Sequence, residues 1–296
     1  MDAVGVAIGE KDMVLVSGDC VNGEVRVKEC VRGNRSSKEP VLDCFELAKR
    51  TDCGRKLMGI TLESEVKSAL IMLPDMTERE IESWISEEGS RYIEWPEREF
   101  YIEHMCRREY RYDTSSPMAM YLVALAKKDV FDAAKGMRLL GQNTRVIDYW
   151  EAGFFDLFKT RKDFAIVSLY ESKASLRLWD EHVVVDWQVI EAEPKIVAEQ
   201  LEQWDNRVKE VNGVGLSGVM FFWHATRPMA EDLQLADWLA IEDHFCAPVL
   251  VPISWNPEGG EDFTKRDMTL MHAVGTLVRV LTRGKALWAT DGNGRS

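Results

Sequence analysis

Hydrophobic and polar positions alternate with a period of two along Ala3–Val31, and the alternation breaks first at Gly9-Glu10 and again at Asn22-Gly23. An Asn-Gly pair accepts the positive φ of a tight hairpin, so three short strands in a meander are predicted. The same pattern returns over Phe164–Ile190, with its first break at Tyr170-Glu171. Laying one stretch on the other puts Ala7 over Ser168, an offset of 161 (168 minus 7). A meander that recurs predicts two similar lobes, 1–159 and 160–290, followed by a disordered tail at 291–296. Alternation alone also admits two unrelated meanders.

Between and after the meanders the period changes. Val41–Arg50 has helical spacing, and Pro40 helps to start it. Lys56–Leu73 reads as two strands around a polar turn. Thr77 and Glu80 form a capping box for a helix over Glu78–Tyr92, whose apolar stripe is Ile81, Trp84, Ile85 and Gly89. Arg98–Tyr112 alternates as a strand, and Met118–Ala126 is a continuous apolar run of the kind a buried strand carries. A helix over Asp129–Gly141, a strand at Val146–Tyr149 and an apolar helix over Trp150–Phe158 lead into the second meander. Beyond it come a helix at Pro194–Val211, a strand at Leu216–Trp223, a helix at Leu233–Phe245, a short strand at Val249–Ile253 and a helix at Thr269–Leu281. The fold class is α/β.

Composition narrows the chemistry. With 46% hydrophobic and 29% charged residues the chain is that of an ordinary globular protein. Fifty acidic against thirty-seven basic side chains give −13, and no basic stretch interleaved with aromatics is present, so nucleic acid is not an expected partner. No apolar run is long enough to span a bilayer, and the acidic N-terminus does not read as a signal peptide, so a cytoplasmic protein is expected. The six cysteines (Cys20, Cys30, Cys44, Cys53, Cys106, Cys246) are scattered without a CxxC pair, which favours free thiols and no metal. His104 beside Cys106 reads as a surface pair. Asp237, Glu242, Asp243 and His244 read as acids and a histidine on a solvated helix face. Ser217 lacks the turn of a nucleophile elbow.

Three motifs carry a resemblance to a known family. They are Leu73-Pro74-Asp75-Met76-Thr77-Glu78-Arg79-Glu80, Tyr92-Ile93-Glu94-Trp95-Pro96 and Ala126-Lys127-Lys128-Asp129-Val130. With the order of elements, they resemble the type IV pilus assembly protein PilM family, whose fold is a duplicated actin-like (ribonuclease H-like) pair of lobes. That resemblance implies an α/β module inserted in the first lobe at about 68–142, and a reduced second lobe. It also points to the positions where an actin-like ATPase holds nucleotide, and there the chain departs from the pattern. The Asp-x-Gly turn of each lobe reads Ala7-Ile8-Gly9 and Ser168-Leu169-Tyr170, and the adenosine loop reads Phe222-Trp223-His224-Ala225. The departures imply no cofactor and no catalysis. What remains is a non-catalytic scaffold, peripheral to the inner membrane through a partner, that holds the short cytoplasmic tail of a PilN-like membrane protein. The resemblance puts that tail in a groove between the first lobe and the module, near Trp95, Pro96, Phe154 and Phe155. The alternative is an actin-fold ATPase or kinase with an atypical pocket. A third reading, the cytoplasmic domain of a type II secretion platform protein, expects a following transmembrane helix.

Overall fold

The computed structural model describes residues 2–35, 40–51, 56–63, 66–93, 99–108, 118–139, 143–150, 152–158, 162–180, 183–246, 250–258 and 266–282. Its first half contains β1 (Asp2–Ile8), β2 (Asp12–Val21), β3 (Glu24–Asn34), α1 (Pro40–Ala48), β4 (Leu57–Leu62), β5 (Val66–Leu73), α2 (Glu78–Ile93), β6 (Phe100–Arg108), β7 (Met118–Ala126), α3 (Lys127–Leu139), β8 (Asn143–Tyr149) and α4 (Ala152–Phe155). The second half contains β9 (Phe164–Leu169), β10 (Lys173–Asp180), β11 (Val183–Glu191), α5 (Pro194–Asn212), β12 (Gly218–Trp223), α6 (Leu235–Phe245), β13 (Ile253–Glu258) and α7 (Met268–Thr282). Three sheets result, in the orders β13-β3-β2-β1-β4-β8, β11-β10-β9-β12 and β5-β7-β6.

The first hairpins of the two meanders, each with its parallel neighbour strand, share one register. Ala7 lies opposite Val14 on one side and Thr61 on the other, while Ser168 lies opposite Ser175 and Phe222. Every member of the second set stands 161 residues after its counterpart. The turns repeat as well, since the Gly9 N–H donates to Asp12 O at 2.8 Å and the Tyr170 N–H donates to Lys173 O at 2.8 Å. Hairpin length and the apolar pattern together fix register, so equal spacing gives equal pairing.

The inserted sheet is antiparallel, and its central strand β7 is buried on both faces. One face of β7, with Met118, Met120 and Leu122, packs on α2. Its other face carries Ala119, Tyr121 and Val123 into the main core, where Tyr121 meets Trp187 of β11 edge-on at 6.1 Å. An unbroken apolar run has two faces to cover, and here a helix and the second lobe cover one each. The capping box forms, with the Thr77 N–H donating to Glu80 Oε2 at 2.7 Å and the Glu80 N–H donating to Thr77 Oγ1 at 3.4 Å.

Two boundaries differ from the expected ones. α3, assigned by sequence to the module at 68–142, packs on α1 and β8 in the first lobe. β4 and β8 are parallel neighbours, and parallel strands need a crossover that passes over the sheet face; α3 supplies it. β13 and α7, assigned to the second lobe at 160–290, also join the first sheet. β13 runs parallel to β3, and α7 lies across β1, β2 and β4. Every residue from Met268 to Val280 is buried, so this helix needs cover all round. The first sheet admits it closely at Gly5, where a Cβ would stand 2.5 Å from the Leu277 backbone nitrogen. The tail at 291–296 lies outside the described residues.

Candidate functional site

The ends of β1, β4, β9 and β12 converge where the two lobes meet, and the residues the sequence singled out gather there. Ala7, Ser168, Phe222 and Trp223 are all buried in strands. Gly9 sits in the first turn. Tyr170 sits in the equivalent turn, its ring 4.6 Å from the His224 imidazole. The Trp223 indole N–H donates to Asp232 Oδ2 at 2.8 Å, and Arg227 grips the same carboxylate at 2.8 Å while lying over the Trp238 ring. The chain after β12 is thereby knotted closed by its own side chains.

Sequence reasoning missed the acidic half of this junction. Glu63, just past β4, takes the Glu10 N–H on Oε2 at 2.6 Å and the His224 ring Nε2 on the same oxygen at 3.0 Å. The repeat held the signal, because the 161-residue offset carries position 63 onto 224. Asp12 is tied to Arg32, and Thr269 donates to its Oδ1 at 2.8 Å; Arg32 also reaches Asp267 Oδ2 at 2.6 Å. Burial raises the Asp12 carboxyl above its ordinary range, against the Thr269 hydrogen bond and the Arg32 charge, which lower it. Above this floor opens a cleft of about 530 Å³, lined by Glu10, Lys11, Tyr170, Lys173, Arg177 and Thr226 among others.

Of the residues proposed from sequence for partner binding, Phe154 is the one whose side chain is described. Trp95 and Pro96 lie outside the described residues, as does the side chain of Phe155. Phe154 is 1% exposed, stacked on Phe222 at 4.1 Å and against His272 at 3.8 Å. It is interlobe core and no groove residue, because α4 leads straight from the first sheet into the second lobe. An exposed aromatic pair does stand at the seam between first lobe and module. Tyr101 of β6 and Phe131 of α3 are 39% and 60% exposed with centroids 6.2 Å apart, and Lys127 lies over the Tyr101 ring at 5.5 Å.

Other candidates resolve locally. Glu242 is no solvated-face acid: it is 3% exposed and accepts from Arg266 at 2.5 Å, and burial raises its carboxyl despite that charge. His104 lies 3.6 Å from Glu78, and burial pushes the Cys106 thiol up to about 11. Among the described residues no group of three His, Cys, Asp or Glu is placed to hold a metal. Nor is any described helix long and apolar enough to cross a membrane.

Among solved structures, this chain is similar to a PilM-PilN type IV pilus biogenesis complex, at 15% identity over 94% of this chain and 98% of that one, with a TM-score of 0.62. Together with the registered repeat, that likeness decides the architecture. The chain has the actin-like fold. Looser similarities join this actin-like chain to two more structures. One is the cytoplasmic domain of EpsL, an inner-membrane component of the type II secretion system of Vibrio cholerae, with 11% identity, 94% and 95% coverage and a TM-score of 0.44. The other is a Bacteroides thetaiotaomicron protein of actin-like ATPase fold, with 9% identity, 93% and 95% coverage and a TM-score of 0.45. No family model and no curated protein matches the sequence.

One feature beneath the actin-like cleft predicts a pH dependence. His272 of α7 is 0% exposed, sandwiched between Trp150 at 4.0 Å and Phe154, and neither ring nitrogen has a hydrogen-bond partner among the described residues. Burial holds its pKa far below the ordinary value, and the charges of His224 and Arg177 add to the effect. Below about pH 6.5 the unfolded chain takes up a proton that the folded one refuses, so stability falls as pH falls. Between pH 6.5 and 5.0 the loss from this group steepens toward at most about 1.4 kcal/mol per unit. Urea titrations of His272→Leu across that range should show a slope shallower by one proton; an unchanged slope would clear His272 of the effect.

Proposed function

We propose that this protein is a non-catalytic scaffold of a type IV pilus or related secretion machine, holding the short cytoplasmic tail of an inner-membrane protein. The observation that carries the reading is the exposed Tyr101–Phe131 pair in the seam between first lobe and module. Isolated exposed aromatics are common, but a paired one between two elements offers a preformed anchor for an apolar side chain. The likeness to a PilM-PilN complex, which spans nearly the whole chain, supports a peptide partner of that kind. An extended tail would add backbone hydrogen bonds and side-chain pockets, and needs no catalytic group. The partner would hold the scaffold at the inner membrane from the cytoplasmic side.

The interlobe floor supports the non-catalytic half of the proposal. Buried Ala7 and Ser168 offer no carboxylate for magnesium, and the first-turn amide already donates to Glu63. Asp12, Glu63 and Asp267 would meet a polyphosphate as like charges, and Arg32 is already paired with two of them. Calorimetric titration with Mg-ATP should therefore give no measurable heat of binding. A dissociation constant below roughly 100 µM, about 5.5 kcal/mol, would instead favour the ATPase or kinase reading.

The partner test uses a synthetic peptide of the cytoplasmic tail of a PilN-like membrane protein. Phe131→Ala should weaken tail binding roughly thirtyfold, the equivalent of about 2 kcal/mol. Its melting temperature should hardly move, since Phe131 is 60% exposed. Unaltered affinity in the folded variant removes the pair from the site.

A further inference from the structure

At the floor of the cleft one carboxylate oxygen bridges the two lobes, and that contact has the chemistry of a ligand site. Glu63 Oε2 receives the Glu10 N–H at 2.6 Å from the first lobe and the His224 ring at 3.0 Å from the second. His224 Nε2 faces a carboxylate that can only accept, so the proton of that contact is on Nε2. Nδ1 lies 3.2 Å from the Thr226 backbone nitrogen and 2.8 Å from Thr226 Oγ1, which orient the ring. The His224 side chain is 0% exposed and Glu63 only 17%, which keeps water from competing for these charge-assisted bonds. Tyr170 packs against the imidazole and fixes its plane.

The two halves occupy equivalent places in the repeat. The Glu63 N–H donates to Ile8 O at 2.8 Å and the His224 N–H to Leu169 O at 2.9 Å, each pair 161 residues after the other. An acceptor in one lobe and a donor in the other thus face each other across the approximate twofold relation between the lobes. The cleft above has Lys11, Lys173 and Arg177 in its lining, with Glu10 and Glu171 opposing them.

We propose that this junction is an oxyanion site which the chain fills with its own Glu63 carboxylate, latching the lobes together, and that a small tetrahedral oxyanion takes the site when that carboxylate is removed. The proposal goes beyond the scaffold reading and stands or falls without it. The turn amide and the His224 N–H would bind one oxygen of phosphate or sulfate as they now bind Glu63. The vacated side-chain volume would admit the rest of the ion.

The test titrates full-length Glu63→Ala with inorganic phosphate at constant ionic strength, reading the His224 imidazole by NMR and the Tm by calorimetry. Saturable shifts of His224 are expected, with a Tm rise of about 3 °C at a tenfold excess of phosphate over Kd. Neither response is expected in the wild-type protein or in Glu63→Ala/His224→Ala. A folded Glu63→Ala that ignores phosphate overturns the proposal, as does an equal response from the wild type. Should Glu63→Ala fail to fold in chloride, folding in phosphate supports the site and failure in both salts overturns it.

Discussion

Arg279→Met is expected to cost about 3–5 kcal/mol of stability, the usual consequence of removing one partner from a buried ionic cluster. Arg279 is 1% exposed in α7, and its guanidinium donates to Asp156 Oδ2 at 2.7 Å, to Ala152 O at 3.0 Å and to Asp148. Both carboxylates are 2% exposed. Two buried acids share this cation, so its loss removes the guanidinium from both, and desolvated charge is relieved by protonation or by opening the structure. Methionine fills similar volume, which keeps a cavity from dominating the measured loss. Arg279→Lys should recover little, because a single ammonium cannot fork to three acceptors in different directions. The decisive variant is Arg279→Met with Asp148→Asn and Asp156→Asn, which removes the charges together and should regain much of the loss. Urea midpoints at unchanged m-value measure it. A triple variant no more stable than Arg279→Met would show that lost packing, not unpaired charge, sets the cost.

The same cluster marks the limit of what the sequence disclosed. The meanders were legible because strand alternation and an Asn-Gly turn are local signals, and the 161-residue offset holds in the pairing of their first two strands as well as in pattern. The capped helix α2 was legible for the same reason. Arg279, Asp148 and Asp156 were not, since each is a lone polar residue in an apolar stretch and nothing local says they meet. Long-range placement also moved α7 and β13 to the first sheet, against the simple halving that a repeat implies. In the cleft, Ala7 and Ser168 hold equivalent strand positions, as the repeat has them, but Glu63 looked like any polar residue after a strand. Phe154 was placed beside a groove by the family resemblance, and its burial depends on Phe222 and His272 from other elements. Tyr101 and Phe131 carried no sequence signal, as their exposure depends on where α3 lies against the module.

Gly275→Ala should destabilise the protein by about 3 kcal/mol or more, although local reasoning gives the opposite sign. In a helix interior alanine is favoured over glycine by about 1 kcal/mol, and Gly275 sits in the middle of α7. Tertiary contact reverses this. A Cβ at Gly275 would collide with the carbonyl oxygen of Gly153 in α4, stand 2.6 Å from the carbonyl carbon, and press on Leu157 at 3.2 Å. The obstacle is backbone on both sides, so no side chain can turn aside, and relief requires α7 and α4 to separate. Separation would loosen the Arg279 bond to Ala152 O and the His272 stack on Phe154, both of which cross the same interface. Overpacking a tight core costs 1–3 kcal/mol when side chains can shift, and a rigid obstacle belongs at or above the top of that range. Gly89→Ala in α2 is the matched control. Its Cβ would meet only the Ile85 methyl at 3.3 Å, which a small rotation relieves, so the change should stay within about 1 kcal/mol. Urea unfolding of the two variants separates propensity from packing, and a Gly275→Ala protein as stable as the wild type would mean that α7 and α4 do not approach as closely as their glycines allow.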